Sequence, residues 1–524
     1  MNYTLKVRHS YQAFMLKCLI LILSFTHISC SANTNQVNEK KRIYNVGDTL
    51  EDVQFKIFDQ AIMNEMESSH IPGMSLVIVK DGQTIYKKGY GVANIETGVS
   101  VDPDKTIFRI GSISKALTLL TLSKLIYQGK VGMDDDVSQY FDGIENTQLF
   151  KDPVTIKHVL THTSGFDQIG LGRHIYNYDQ SLDDRKEQRP SISEFLQNKN
   201  LRRVTPAGGY YRYDTYGSTL AGAIIENVTG LTYRQAMKQE LFDPIGMSLS
   251  SVEVEDQYMD QLAVGHGYNN NAYEVMPYEV YNTPPASSID ATPSDMGRLL
   301  EVLTGGGANN HGSIFTPKVM KDIMKVQYQP HPEFVGISHG LQESNYVGNL
   351  PDAYKIRTLG HGGDMLGISC LMTVIPSKGI GIFISSNRNH EAGGERVNLW
   401  RLIMPLVMDH LDISKTSEPF PLPKGPVQVN LDQYVGNYYF GVFCHSCTEE
   451  EYAQYAWRKS SRPIEIKKKK NELILGEDSY LHRGDDVFVR ADGYEKIFFG
   501  RDNYDKISFM VFSDQLTSFE RIDD

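Results

Sequence analysis

Ser112 and Lys115 stand three residues apart in Phe108-Arg109-Ile110-Gly111-Ser112-Ile113-Ser114-Lys115, a pairing that could serve acyl transfer. A serine hydroxyl is a weak nucleophile at its free pKa and needs a base beside it. A lysine desolvated in a pocket, neutral at working pH, can take that proton. The apolar pattern Ala116, Leu117, Leu119, Leu120, Leu122, Leu125, Ile126 predicts a helix that begins near Ser112 and puts both side chains on one face. Its first turn would offer unsatisfied N–H groups and the positive end of a dipole to a developing oxyanion. Ordinary composition places about one or two S-x-x-K matches in a chain this long by chance, and the bland reading is an exposed pair on a helix face. The case therefore depends on the other blocks in the chain.

Three of them follow in order. Thr155-Ile156-Lys157-His158-Val159-Leu160-Thr161-His162-Thr163-Ser164-Gly165-Phe166 comes first. Pro206-Ala207-Gly208-Gly209-Tyr210-Tyr211-Arg212-Tyr213-Asp214-Thr215-Tyr216-Gly217 leads into a second helical pattern that ends at Thr229-Gly230. Gly360-His361-Gly362-Gly363-Asp364-Met365-Leu366-Gly367 runs into strand-like Ile368 to Ile375 and, past Pro376-Ser377-Lys378-Gly379, Ile380 to Ile384. With these blocks, roughly residues 50 to 410 resemble the serine β-lactamase and penicillin-binding-protein superfamily. The branch is that of class C β-lactamases, D,D-carboxypeptidases, D-aminopeptidases and related esterases.

The resemblance implies roles position by position. Ser112 would be the acylated nucleophile, Lys115 its proton partner, and Tyr213 the phenol that shares the base role and protonates the leaving group. Thr215 stands where the family has the Asn of its Y-x-N motif, a shorter side chain with a hydroxyl in place of an amide. The family's K-T-G strand reads His361-Gly362-Gly363, so that Thr215, His361, Gly362 and Gly363 would meet the substrate. The N–H groups of Ser112 and Asp364 would form the oxyanion hole.

Other readings of these residues are blander. A Tyr among Tyr210, Tyr211 and Tyr216 is ordinarily amphipathic packing. His158 and His162 have the i, i+4 spacing of a metal face, but with no H-E-x-x-H glutamate and no third ligand cluster the segment reads as a structural loop near the site. Neither a metal nor another cofactor is expected. Lys467 to Lys470 precede Asn471-Glu472 and read as the solvated tip of a hairpin, not a nucleic-acid patch.

The 524 residues are 40% hydrophobic, enough for a large core and for two or three domains. Lys6, Arg8 and Lys17 precede the apolar run Cys18 to Phe25, too short for a bilayer but fit for a secretory signal. The segment ends at Ile28-Ser29-Cys30, which resembles a bacterial lipoprotein cleavage site with acylation of Cys30, although His27 stands where such sites carry Leu; ordinary signal cleavage nearby is the alternative. Loss of residues 1–29 moves the formal charge from −12 to −15, which disfavours nucleic acid as a partner. The expected place is outside the cytoplasm, periplasmic or on the cell surface, tethered to a membrane by lipid. Cys370 lies in an apolar strand and reads as a buried thiol. Cys444 and Cys447 leave open a local disulfide, a zinc half-site with His445, or a redox pair.

The chain thus parts into a signal peptide (1–29), a flexible tether (30–48), a hydrolase-like domain (49–412), a proline-rich linker (413–426) and a small domain (427–524). Strands and helices at both ends of residues 49–412 predict an α+β domain, an antiparallel sheet flanked by helices plus an all-helical lobe carrying Ser112, which is the β-lactamase/transpeptidase-like fold that the resemblance implies. Asp81-Gly82 predicts a tight hairpin, and Arg396 to Leu411 a helix kinked at Pro405. Short apolar runs from Tyr434 to Ile522 predict an all-β domain, similar to the lipocalin-like domain appended to many members of the family. The expected activity is that of a serine hydrolase acting on D-amino-acid peptides, peptidoglycan-type peptides or small acyl esters. The rival is a penicillin-binding-type sensor or scaffold that is acylated without turnover.

Overall fold

The computed structural model describes residues 50–144, 150–167, 172–176, 189–199, 201–344, 356–389, 394–411, 422, 429–440, 463–514 and 516–521. The chain divides into two compact units, Met1–Ile57 and Phe58–Asp524. Cys30 and its leader, and Cys444 with Cys447, fall outside the described residues. Among the helices are α1 (Leu50–Ser68), α2 (Ile113–Tyr127), α3 (Thr215–Thr229), α4 (Pro293–Thr304) and α5 (Gly394–His410). No helix among the described residues is long and apolar enough to cross a membrane.

Six antiparallel strands form the central sheet: β1 (Gly73–Lys80), β2 (Gln83–Gly91), β3 (Gln342–Ser344), β4 (Thr358–Met365), β5 (Ile368–Ile375) and β6 (Ile380–Ser386). Their order is β3-β4-β5-β6-β1-β2. Asp81 and Gly82 make the β1–β2 turn with φ of 49° and 78°, the left-handed pair that a two-residue hairpin demands. Successive strand residues point to opposite faces. In β1, Val77 and Val79 therefore enter one core while Met74, Leu76 and Ile78 enter the other. The first core takes Met296, Leu299 and Leu300 of α4 together with the helical lobe. The second takes Phe58, Ile62 and Met66 of α1 and Leu399, Trp400 and Ile403 of α5, a helix that contains Pro405. Covered on both sides, β5 and β6 are buried along their whole length, which explains why apolar residues occupy both faces of each strand.

The helical lobe is built on α2 and α3. α2 is enclosed on nearly every side and buries twelve of its residues, its buried Thr118, Thr121 and Ser123 hydroxyls bonding back to carbonyls one turn earlier. Asp214 caps α3, its side chain accepting from the Gly217 N–H at 2.7 Å, and Gly230 ends it at φ 70°.

The C-terminal strands are β7 (Gly436–Phe440), β8 (Ile464–Lys469), β9 (Glu472–Leu475), β10 (Asp478–Gly484), β11 (Val487–Arg490), β12 (Lys496–Arg501), β13 (Ile507–Phe512) and β14 (Ser518–Arg521). Each pairs with the next and β14 with β7, closing an up-and-down barrel of the lipocalin-like kind. An eight-stranded barrel is just wide enough for side chains, and here Tyr438, Tyr480, Phe488, Phe499 and Met510 are packed in its core. Lys467 and Lys468 pair with Glu465 and Asp432, and the chain turns at Lys470 with φ 56°, a solvated hairpin.

Candidate active site

The turn before α2 is shaped by glycine. Gly111 has φ 53°, and a Cβ there would lie 2.9 Å from the nitrogen and 3.0 Å from the oxygen of Asp364, so the turn needs both a left-handed backbone and a bare Cα. Ser112 follows as the N-cap of α2, one residue before the helix proper. One turn on, the Lys115 amine lies 3.1 Å from Ser112 Oγ and 2.9 Å from the Ala286 carbonyl. Lys115 is 2% exposed, and its amine stands 4.8 Å from the centre of the Tyr213 ring.

Tyr213 is held by what precedes α3. The Asp214 N–H donates to His162 Nδ1 at 3.2 Å, and Ser164 Oγ donates to the Asp214 carboxylate. The Thr161 to Gly165 loop is thus a structural support beside the site. Accepting at Nδ1 puts the His162 proton on Nε2, which has no hydrogen-bond partner among the described residues. Burial, with His361 and Lys115 adding to it, holds the His162 pKa well below the ordinary range. His158 Nδ1 accepts from the Thr155 N–H at 3.1 Å. Among the described residues no three His, Cys, Asp or Glu side chains gather as a metal site. Thr215 is buried in the first turn of α3.

Strand β4 supplies the opposite wall. β3 pairs with it only over Thr358 to Gly360, so from His361 onward that edge is left to face the Gly111–Ser112 turn. By the period of two, His361 and Gly363 lie with Leu359 and Met365 on the side of α2. A Cβ at Gly363 would collide with the Ile110 carbonyl. His361 Nδ1 donates to the Gly362 carbonyl at 2.6 Å, leaving Nε2 to accept from Gln342 Nε2 at 3.2 Å. The Gln342 amide also donates to the Tyr211 hydroxyl at 3.0 Å. Burial first, then Lys115, pushes the His361 pKa down to about 3, so the ring is neutral.

Gly362 and Asp364 have the opposite facing. A Cβ on Gly362 would lie 2.8 Å from Arg396 Nε of α5, and the Asp364 carboxylate pairs with Arg396 and accepts from Ser369 Oγ at 2.8 Å. The space that a side chain at Gly362 would fill is taken by Arg396, and the Asp364 charge is paired on the far face, with only its main chain turned toward Gly111. Cys370 is buried on β5, as its apolar surroundings suggest, and burial raises its pKa.

The structure therefore brings Ser112, Lys115, Tyr213, His361, Gly363 and the Asp364 main chain together. It adds the Ala286 carbonyl, Gln342 and Arg396, which sequence reasoning did not find. A hydroxyl, an amine that can trade its proton while bonded to a carbonyl, and a phenol stacked over that amine can acylate and deacylate a serine.

A serine at a helix N-terminus with a lysine one turn on, facing the edge of an antiparallel sheet, defines the class of folds shared by serine β-lactamases and penicillin-binding proteins. The family model described as Beta-lactamase matches residues 58–403, and the chain belongs to that family. It is 28% identical over 337 residues to protein Flp of Staphylococcus aureus (strain N315), covering 64% of this chain and 63% of the length of that protein. It is 25% identical over 285 residues to a teichoic acid D-alanine hydrolase of Staphylococcus aureus (strain MRSA252), covering 54% of this chain and 64% of that one. The chain thus spans a little under two thirds of these relatives. Among solved structures, SurE superposes with a TM-score of 0.59 at 16% identity, covering 90% of this chain and all of SurE. The octameric penicillin-binding protein homologue from Pyrococcus abyssi gives 0.53 at 20% identity, covering 89% and 99%. These two show a shared fold.

Proposed function

We propose that this chain is a serine hydrolase that forms an acyl-enzyme on Ser112 and releases it to water. The observation that carries the reading is the 3.1 Å approach of Lys115 Nζ to Ser112 Oγ, with Tyr213 stacked over the same amine. In the forward step Ser112 Oγ attacks the acyl carbon as its proton passes to Lys115, and the oxyanion is met by the N–H groups of Ser112 and Asp364. Tyr213 returns a proton to the leaving group, and the same groups activate water for deacylation.

Amides and esters are the substrates we propose, as D-amino-acid peptides, peptidoglycan-type peptides or small acyl esters. A relative named as a D-alanine hydrolase supports this range, as does the fold shared with EstCE1, described as a hydrolase with promiscuous acyltransferase activity. Esterase or peptidase action is favoured over true β-lactamase action because His361 is neutral where the family carries a lysine. Labelling with a fluorophosphonate tests covalent chemistry, and turnover of a p-nitrophenyl ester tests release. Repeated turnover supports the hydrolase; one equivalent of p-nitrophenol followed by arrest supports the acylated sensor instead.

We further propose export and a lipid anchor on Cys30, on the strength of the basic and apolar leader alone. Cys30→Ser should release the chain from membranes or stall its processing, whereas an unmutated chain recovered soluble after cleavage would leave simple secretion.

A further inference from the structure

The segment leading to Tyr213 is fastened to the C-terminal barrel residue by residue. Tyr210 stacks on Phe509 of β13, ring centres 4.6 Å apart. Tyr211 packs with Val335, Ile337 and Leu516, and Tyr213 borders the same cluster. Leu516 lies between β13 and β14. Arg212, the immediate neighbour of Tyr213, donates from Nε to Glu520 Oε1 of β14 at 2.6 Å, with the two side chains 2% and 5% exposed. Its Nη1 also donates to the Phe166 carbonyl at 2.9 Å, and its main-chain N–H to the His162 carbonyl at 2.9 Å. A buried ion pair tolerates little displacement, because parting the charges strands each in a medium of low dielectric. On the other side of Tyr213, Asp214 is fixed as the cap of α3. The phenol therefore hangs between a helix cap and an ion pair with a different domain.

We infer that Glu520 is a positioning residue for the reaction, holding Arg212 and through it the backbone of Tyr213 in register with Lys115. The barrel is then a working part of the active site. The inference rests on the proposed proton-transfer role of Tyr213. A second set of ion pairs crosses the same interface without touching residues 210–213: Lys496 and Arg483 meet Glu333 at 2.8 and 2.7 Å. Glu333 separates loss of docking from loss of positioning.

The test is steady-state kinetics of the full chain with p-nitrophenyl butyrate. Glu520→Gln keeps an acceptor and removes the charge; it should lower kcat about tenfold with KM within about twofold, since small misplacement of a reacting group acts on the chemical step. Glu520→Asp should recover part of the loss, and Glu333→Gln should leave kcat unchanged. In a Tyr213→Phe background, Glu520→Gln should add less than about a twofold change, because the two substitutions act on one element. Normal kcat in Glu520→Gln, an equal loss in Glu333→Gln, or the full tenfold loss persisting without the phenol would each overturn the inference. Should Glu520→Gln not fold, Glu520→Asp decides: kcat reduced at constant KM supports positioning, and unchanged kcat overturns it. An unmutated chain inert toward the ester, or Tyr213→Phe at full rate, would instead overturn the functional reading and the inference with it.

Discussion

Lys115 divides its amine between Ser112 Oγ at 3.1 Å and the Ala286 carbonyl at 2.9 Å. The carbonyl accepts one N–H and so orients the remaining hydrogen or lone pair toward the serine. This holds the amine in line with the serine hydroxyl. Lys115→Ala should then lower turnover by at least about 10³, since nucleophile and base act as a unit. Near-normal rates for that variant, measured by ester hydrolysis, would place the base elsewhere.

Substrate charge should matter at β4. A neutral His361 gives up a charge-assisted hydrogen bond to a substrate carboxylate, worth about 1.5 to 3 kcal/mol or one to two decades in affinity. With Asp364 neutralised by Arg396, His361 alone carries this argument. Short-chain aryl esters and D-amino-acid amides should therefore show higher kcat/KM than a cephalosporin or a peptide ending in free D-Ala-D-Ala. Cephalosporin hydrolysis at about 10⁶ M⁻¹s⁻¹ or above, well within the enzyme range, would contradict it.

Stability should fall on mild acidification. Burial first holds His361 at about 3 and His339 at about 4, against 6.5 for each in an unfolded chain. Below pH 6.5 the unfolded state binds more protons at both, so their contribution is complete above that pH and is lost as pH falls toward 4. Asp290 works the other way. Burial raises it to about 6 from 3.8, so its contribution is present below 3.8 and lost as pH rises through 6. Asp214 and Asp295, also raised by burial, act in the same sense as Asp290, while His162 joins the two histidines; the three rings take up protons on unfolding across this interval, and Tm should drop between pH 7 and pH 4.5. A Tm that holds or rises over this interval would contradict the assignment of neutral buried rings.

Much of the fold is legible in the sequence because local chemistry dictates it. Asp81-Gly82 can hardly be anything but a tight turn, and Ile368 to Ile375 is apolar at both parities because α-helices cover both faces of its sheet. Distance in space is less legible. Ala286 lies 171 residues from Lys115 and contributes a carbonyl, which every residue type has. Gln342 reaches His361 from a three-residue strand with no pattern of its own. Facing is hidden as well. Gly362 and Asp364 separate from His361 only once the strand boundaries of β4 are known, and Arg396, although within an anticipated helix, gives no sign of the side it turns to. The Arg212–Glu520 pair joins residues 308 apart across two domains, beyond any local signal.

The central claim is that Ser112 is the acylated residue. Intact-mass measurement of the chain after treatment with a fluorophosphonate tests it most directly. The account predicts a single adduct on the unmutated chain, mapped to the Ser112 peptide, and none on Ser112→Ala. An adduct of full stoichiometry on folded Ser112→Ala would contradict it.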